Sequence, residues 1–147
     1  MGTRATLTIF QDPARTKPIT RIFRSMDGYP SEAGAQLHAH LRRLQLTNGY
    51  TRHYEVRENE RWVNGMGHLA AVATGAWLMG NGTCHVLAPD EGGSDEWEYD
   101  LFPASDPHEA NQDTNPVGIL LRVATFGEQV WLGLVAEFDG AAIKSID

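Results

Sequence analysis

Polar and apolar residues alternate through ATLTIF (5–10), with Leu7 and Ile9 on one side and Thr6 and Thr8 on the other. That period of two is the mark of a half-buried strand. ITRIFRS (19–25) repeats it after the turn-forming QDPARTKP, so the two segments predict a hairpin. From Ser31 the spacing changes: Ala33, Leu37, Leu41 and Leu44 form one stripe of an amphipathic helix running to about Gln45. Residues 46–63 are polar and irregular, and Asn64 has N-cap chemistry for a second helix, GMGHLAAVATGAWLMG (65–80). That segment is apolar on almost every side, which predicts burial at the centre of the fold. Its Gly65, Gly67 and Gly75 each lower helix propensity by roughly 1 kcal/mol relative to Ala, so close backbone packing is expected around them.

The remainder reads as strands: TCHVLA (83–88), EWEYDLF (96–102), VGILLRVAT (117–125) and QVWLGLVAEF (129–138). Phe126-Gly127-Glu128 has the composition of a hairpin turn, and PASDPHEANQDTNP (103–116) that of a surface loop. The order β-β-α-α-β-β-β-β predicts an α+β fold. We expect one domain over residues 1–147, a mostly antiparallel sheet of about six strands with two helices on one face.

Composition narrows the function classes. No apolar run approaches the roughly 18 residues that a bilayer span needs, and the first residues contain no apolar signal segment. A single cysteine, Cys84, cannot close an internal disulfide, in keeping with a reducing compartment; the expected location is the cytoplasm. The net charge of −7 is unevenly spread along the chain. Residues 1–62 carry ten Lys/Arg against six Asp/Glu, and residues 63–147 two against thirteen. A fold that kept these halves apart would present an acidic side that repels nucleic acid and attracts basic partners, so direct DNA binding is not expected.

Three sets of residues carry candidate chemistry. The first is SMDGYPSEAG (25–34), where Asp27-Gly28 supplies a turn, Pro30 stops the strand, and Ser31 and Glu32 stand at a helix start. A plain connector explains this stretch. A ligand site explains it too, because Tyr29 lies beside free helix N–H groups suited to an anion. The second is Glu96, Glu98 and Asp100, three carboxylates on one strand face about 6.5–7 Å apart. They read either as a solvated acidic face or as the centre of a metal-assisted hydrolase acting with a histidine. The third is the basic, aromatic 50–61 segment with Arg52, Arg57 and Arg61, a solvated loop or a nucleotide contact. His38 and His40 are about 200° apart on a helix and cannot share one metal, whereas His68 and His85 are far enough apart in sequence to meet.

MGTR at the start, RIFRSMDGYPSEAG and VNGMGHLAA together resemble an uncharacterised family of phage and prophage proteins over roughly residues 1–75. Its members open Met-Gly-Thr-Arg-Ser/Ala and carry an Asp-Gly-Tyr-Pro segment and an Asn-Gly-x-Gly-x-Leu-Ala-Ala segment. MGTR is also similar to the Met-Cys-Thr-Arg start of some N-terminal-nucleophile hydrolases, but Gly2 stands where they expose a thiol. The family resemblance implies a mobile-element origin and no particular chemistry. The expected function is therefore a non-catalytic binding protein, without cofactor or metal, that modulates or inhibits a host system such as anti-phage defence. Its partner would be a host protein with a basic surface or a small anionic or nucleotide ligand, with homo-oligomerisation open; the alternative is the hydrolase.

Overall fold

The computed structural model describes residues 3–47, 61–78, 83–89, 96–109 and 117–143. Six strands form one sheet in the order β5-β2-β1-β6-β7-β8: β1 (Ala5–Phe10), β2 (Pro18–Arg24), β5 (Cys84–Leu87), β6 (Trp97–Pro103), β7 (Ile119–Thr125) and β8 (Glu128–Leu134). All neighbours are antiparallel except β1 and β6, which run parallel with Leu7 opposite Tyr99 and Ile9 opposite Leu101. The α+β expectation, a mostly antiparallel sheet of six strands, is met. The pairing of β1 with β6 joins the two halves of the chain in the middle of the sheet.

The pleat assigns the two faces. Leu7, Ile9, Ile22, Tyr99, Leu101, Leu121 and Val123 share one side and are completely or almost completely buried. They form a single core with Leu37 and Leu41 of α1 (Ala35–Leu41) and Leu69, Ala73 and Trp77 of α2 (Gly65–Leu78). Both helices therefore cover this inner face. Each large apolar side chain so removed from water contributes about 1.5–3 kcal/mol. Trp77 packs edge-on against Tyr99 with ring centroids 5.7 Å apart and donates its indole N–H to the Ala33 carbonyl.

Several expectations are corrected. Helix 1 is shorter than its apolar stripe, because Leu44 and Gln45 belong to β3 (Leu44–Thr47), not to the helix. Residues 46–63 are not wholly irregular: β3 pairs in parallel with β4 (Arg61–Asn64), and Thr47 donates its hydroxyl to the Val63 carbonyl. Burial of Leu46, which bridges to Val117, offsets what is lost by ending the helix early. Nor is α2 enclosed on every side, since Gly67, His68, Ala71 and Leu78 are exposed. A Cβ at Gly65, Gly67 or Gly75 would meet nothing within 4 Å, so close packing does not account for these glycines. Gly65 instead adopts φ +78, a left-handed turn from β4 into the helix, and His68 Nδ1 accepts the Asn64 N–H.

The β7–β8 hairpin forms as expected. Phe126 and Gly127 both take left-handed angles, φ 48 and 80, as a two-residue turn of the primed type requires. The chain after Leu134 leaves the sheet in a short 3-10 turn (Val135–Glu137), earlier than the expected end at Phe138. The 103–116 stretch is described as far as Glu109 and carries a 3-10 turn, Pro107–Glu109. Among the described residues, no helix is long and apolar enough to cross a membrane.

Candidate functional site

The end of β2 turns into α1 through Ser25–Gly34, and this corner is held from below by buried groups. Asp27 adopts φ 55, a left-handed conformation that costs a non-glycine residue of order 1 kcal/mol. Gly28 follows because nothing larger fits: a Cβ there would lie 2.8 Å from Ala5 Cβ and from the Thr3 carbonyl oxygen. The Gly28 N–H donates to Thr3 O at 2.9 Å, and its carbonyl accepts from the buried Tyr99 hydroxyl at 2.7 Å. Arg24, completely buried, donates from Nε to the Met26 carbonyl at 2.7 Å. Pro30–Gly34 then makes a π-type turn into α1, with Tyr29 O accepting from Glu32 N and Gly34 N.

This framework leaves two large apolar side chains outside. Met26 is 45% and Tyr29 41% exposed. Around them Arg4, Ser31 and Glu32 are exposed and Asp27 is half-buried, a polar rim about an apolar pair. MGTR and DGYP, two of the three segments that carry the family resemblance, meet at this point through Thr3 and Gly28. The third, at the start of α2, lies away from it, because Trp77 near the other end of that helix is the residue that reaches Ala33.

The structure also shows why the helix start is a poor anion cradle. Gly140 sits against it so closely that a Cβ there would fall 2.0 Å from the Pro30 carbonyl oxygen and 3.0 Å from Ser31 N. The chain itself covers the N–H groups that the sequence suggested for a ligand.

The carboxylates of β6 lie elsewhere, on the outer face of the sheet. Asp100 is 9% exposed, and its Oδ2 accepts from Arg15 at 3.0 Å and Arg122 at 3.2 Å. Burial pushes the Asp100 carboxyl up, against the opposing pull of Arg122 and Arg15. Arg15 also lies over the Phe102 ring, 5.4 Å from its centroid. Glu98 and Asp100 line a cavity of about 250 Å³ with Thr6, Thr8 and Arg21. Glu96 precedes the strand, and its carbonyl accepts the Thr125 hydroxyl at 2.8 Å. The charge halves seen along the sequence meet here, where Arg15 of the basic half and Arg122, one of the two cations of the acidic half, share the Asp100 carboxylate. A buried carboxylate requires such partners: antiparallel pairing of β6 with β7 sets Arg122 opposite Asp100, and parallel pairing of β1 with β6 brings in Arg15 from the loop that follows β1.

The remaining candidates separate. Arg52 and Arg57 lie outside the described residues, and Arg61 opens β4. His38 donates to Ala136 O and His40 to Gln36 O, each to a backbone carbonyl. His85 lies beside Phe23 on the outer face, on the other side of the sheet from His68. Among the described residues, no three His, Cys, Asp or Glu side chains are placed to hold a metal ion. Cys84 is half-buried, donates its thiol to Trp77 O at 3.5 Å, and is pushed up by burial against the effect of Arg24. Sequence reasoning missed Arg24 and Tyr99, which read as ordinary strand residues. Their only signal was a large polar group at an inward-facing position. Comparison of the chain with protein-family models, curated proteins and solved structures finds no match.

Proposed function

We propose that this chain is a binding protein whose recognition surface is the Met26–Tyr29 corner. The observation that carries the reading is the convergence of Thr3, Arg24 and Tyr99 on a left-handed loop whose large apolar side chains remain in solvent. A connector needs no such support. Fixing a loop in advance removes the ordering cost that a flexible one loses on association. Tyr and Met on a rigid loop, ringed by polar residues, have the composition of a small interface centre.

The partner fitting this surface is a protein with an apolar pocket and a basic rim. At the rim Glu32 and Asp27 stand against Arg4, two carboxylates to one guanidinium, and the chain carries a net charge of −7, so a basic approach is steered and an acidic one opposed. The resemblance to phage proteins supports placing that partner in a host and reading the effect as modulation of a host system. The hydrolase reading is weaker, because Asp100 already faces two guanidinium groups, which oppose a cation there.

The test is photo-crosslinking in host lysate with a photoreactive phenylalanine at position 29 or 26 and, as control, at the exposed Val86 of β5. One protein captured at the corner and absent from the control supports the reading, provided that the purified protein then binds the unmodified chain. Identical capture at all three positions, or none at 26 and 29, refutes it.

A further inference from the structure

Arg24 points to a ligand of its own. Its guanidinium has five N–H donors and is fully removed from water. Nε donates to Met26 O, Nη1 to the Gln36 side-chain oxygen, and the group lies over the Trp77 ring, 5.8 Å from its centroid. Every one of these partners is neutral. Nη2 is buried and donates to nothing. Among the described residues, carboxylates pair with Arg15 and Arg122 within ion-pair distance but not with Arg24. An isolated charge buried in this way costs several kcal/mol, so either the structure tolerates the loss or an anion supplies what the chain does not.

The geometry points to the second: a small oxyanion, a carboxylate or phosphate-type group, seated on Arg24 Nη2 beneath the corner and entering from the Cys84 side. Arg24 and Cys84 are cross-strand partners, β5 is the edge strand, and Cys84 is half-buried, which makes this edge the entry assigned to the ligand. Nη2 keeps both its hydrogens for an oxyanion, the arrangement in which guanidinium bonds are strongest. An anion there also reinforces the cation that holds the Met26 carbonyl. This site rests on the orphan guanidinium and not on the exposed anchors, so it and the corner reading can fail separately.

The experiment measures wild type and Arg24→Met by thermal unfolding in phosphate and, separately, in acetate, at constant ionic strength. For wild type the melting temperature is expected to rise by about 4 °C at a tenfold excess of the bound probe over its dissociation constant. Arg24→Met is expected to show no rise. A response to phosphate alone identifies a phosphate-type ligand, and one to acetate as well identifies any small oxyanion. No response from wild type at tens of millimolar, or an equal one from both proteins, overturns the site. A second readout needs no variant: Cys84 is the only cysteine, and Arg24 favours its thiolate. Neutralising Arg24 must slow alkylation by uncharged iodoacetamide. If Arg24→Met does not fold, a wild-type rate that falls several-fold with the probe sustains the site, and an unchanged rate overturns it.

Discussion

Tyr99→Phe removes one oxygen atom from the support of the corner and leaves the rest in place. The Tyr99 hydroxyl is buried and donates to the Gly28 carbonyl at 2.7 Å, while the ring packs edge-on against Trp77. Phe keeps the ring contact and the buried area, so the loss is assigned to the hydrogen bond. Leaving a buried carbonyl without its donor costs about 1–3 kcal/mol. At about 2.1 cal/mol/K per residue, a chain of 147 residues loses about 3 °C of melting temperature per kcal/mol. Calorimetry is therefore expected to show a fall of about 3–10 °C, with faster hydrogen exchange at the Gly28 N–H that pairs with Thr3. A fall below about 1 °C, with unchanged exchange at Gly28, refutes the claim that Tyr99 holds the loop.

Further expectations follow from the same contacts. Gly140→Ala drives a Cβ to 2.0 Å from the rigid Pro30 carbonyl and is expected to destabilise by about 1–3 kcal/mol in urea titration. Phe126→Asn places a residue tolerant of left-handed angles at the exposed hairpin turn, φ 48, and is expected to raise the urea midpoint by about 0.5–1 kcal/mol equivalent. The Asp100 carboxyl is raised above its ordinary 3.8, so the folded state takes up its proton first as pH falls. Wild type is then expected to gain stability relative to Asp100→Asn as pH is lowered towards 4, and to lose it as pH rises through the folded value. Denaturation midpoints of both proteins between pH 4 and 7 check the sign.

The sheet was legible because the strands alternate cleanly, and the hairpin because Phe126-Gly127 supplies a turn residue where a left-handed angle is needed. Helix 1 was overextended because Leu44 continues the helical spacing by position while Leu46, two residues on, is drawn into the core beside Val117. β3 and β4 escaped because their partners are distant in sequence and parallel, and no local pattern records such pairing. The corner was half legible. Asp-Gly-Tyr-Pro announced a turn with an aromatic, but the Tyr99 hydroxyl, the Arg24 side chain and Gly140 come from elsewhere in the chain. The surroundings of Asp100 were hidden for the same reason: Arg15, 85 residues away, pairs with its carboxylate together with Arg122.

The central claim is that Met26 and Tyr29 are recognition anchors on a loop fixed from beneath. The most direct measurement is the affinity of the crosslinked partner for wild type, Met26→Ala, Tyr29→Ala and a Glu98→Lys control, alongside their melting temperatures. Both alanine variants remove exposed side chains and are expected to change stability by no more than about 0.5 kcal/mol while weakening binding tenfold or more. Affinity unchanged in both alanine variants, with loss confined to Glu98→Lys, would contradict the account and place recognition on the outer face of the sheet.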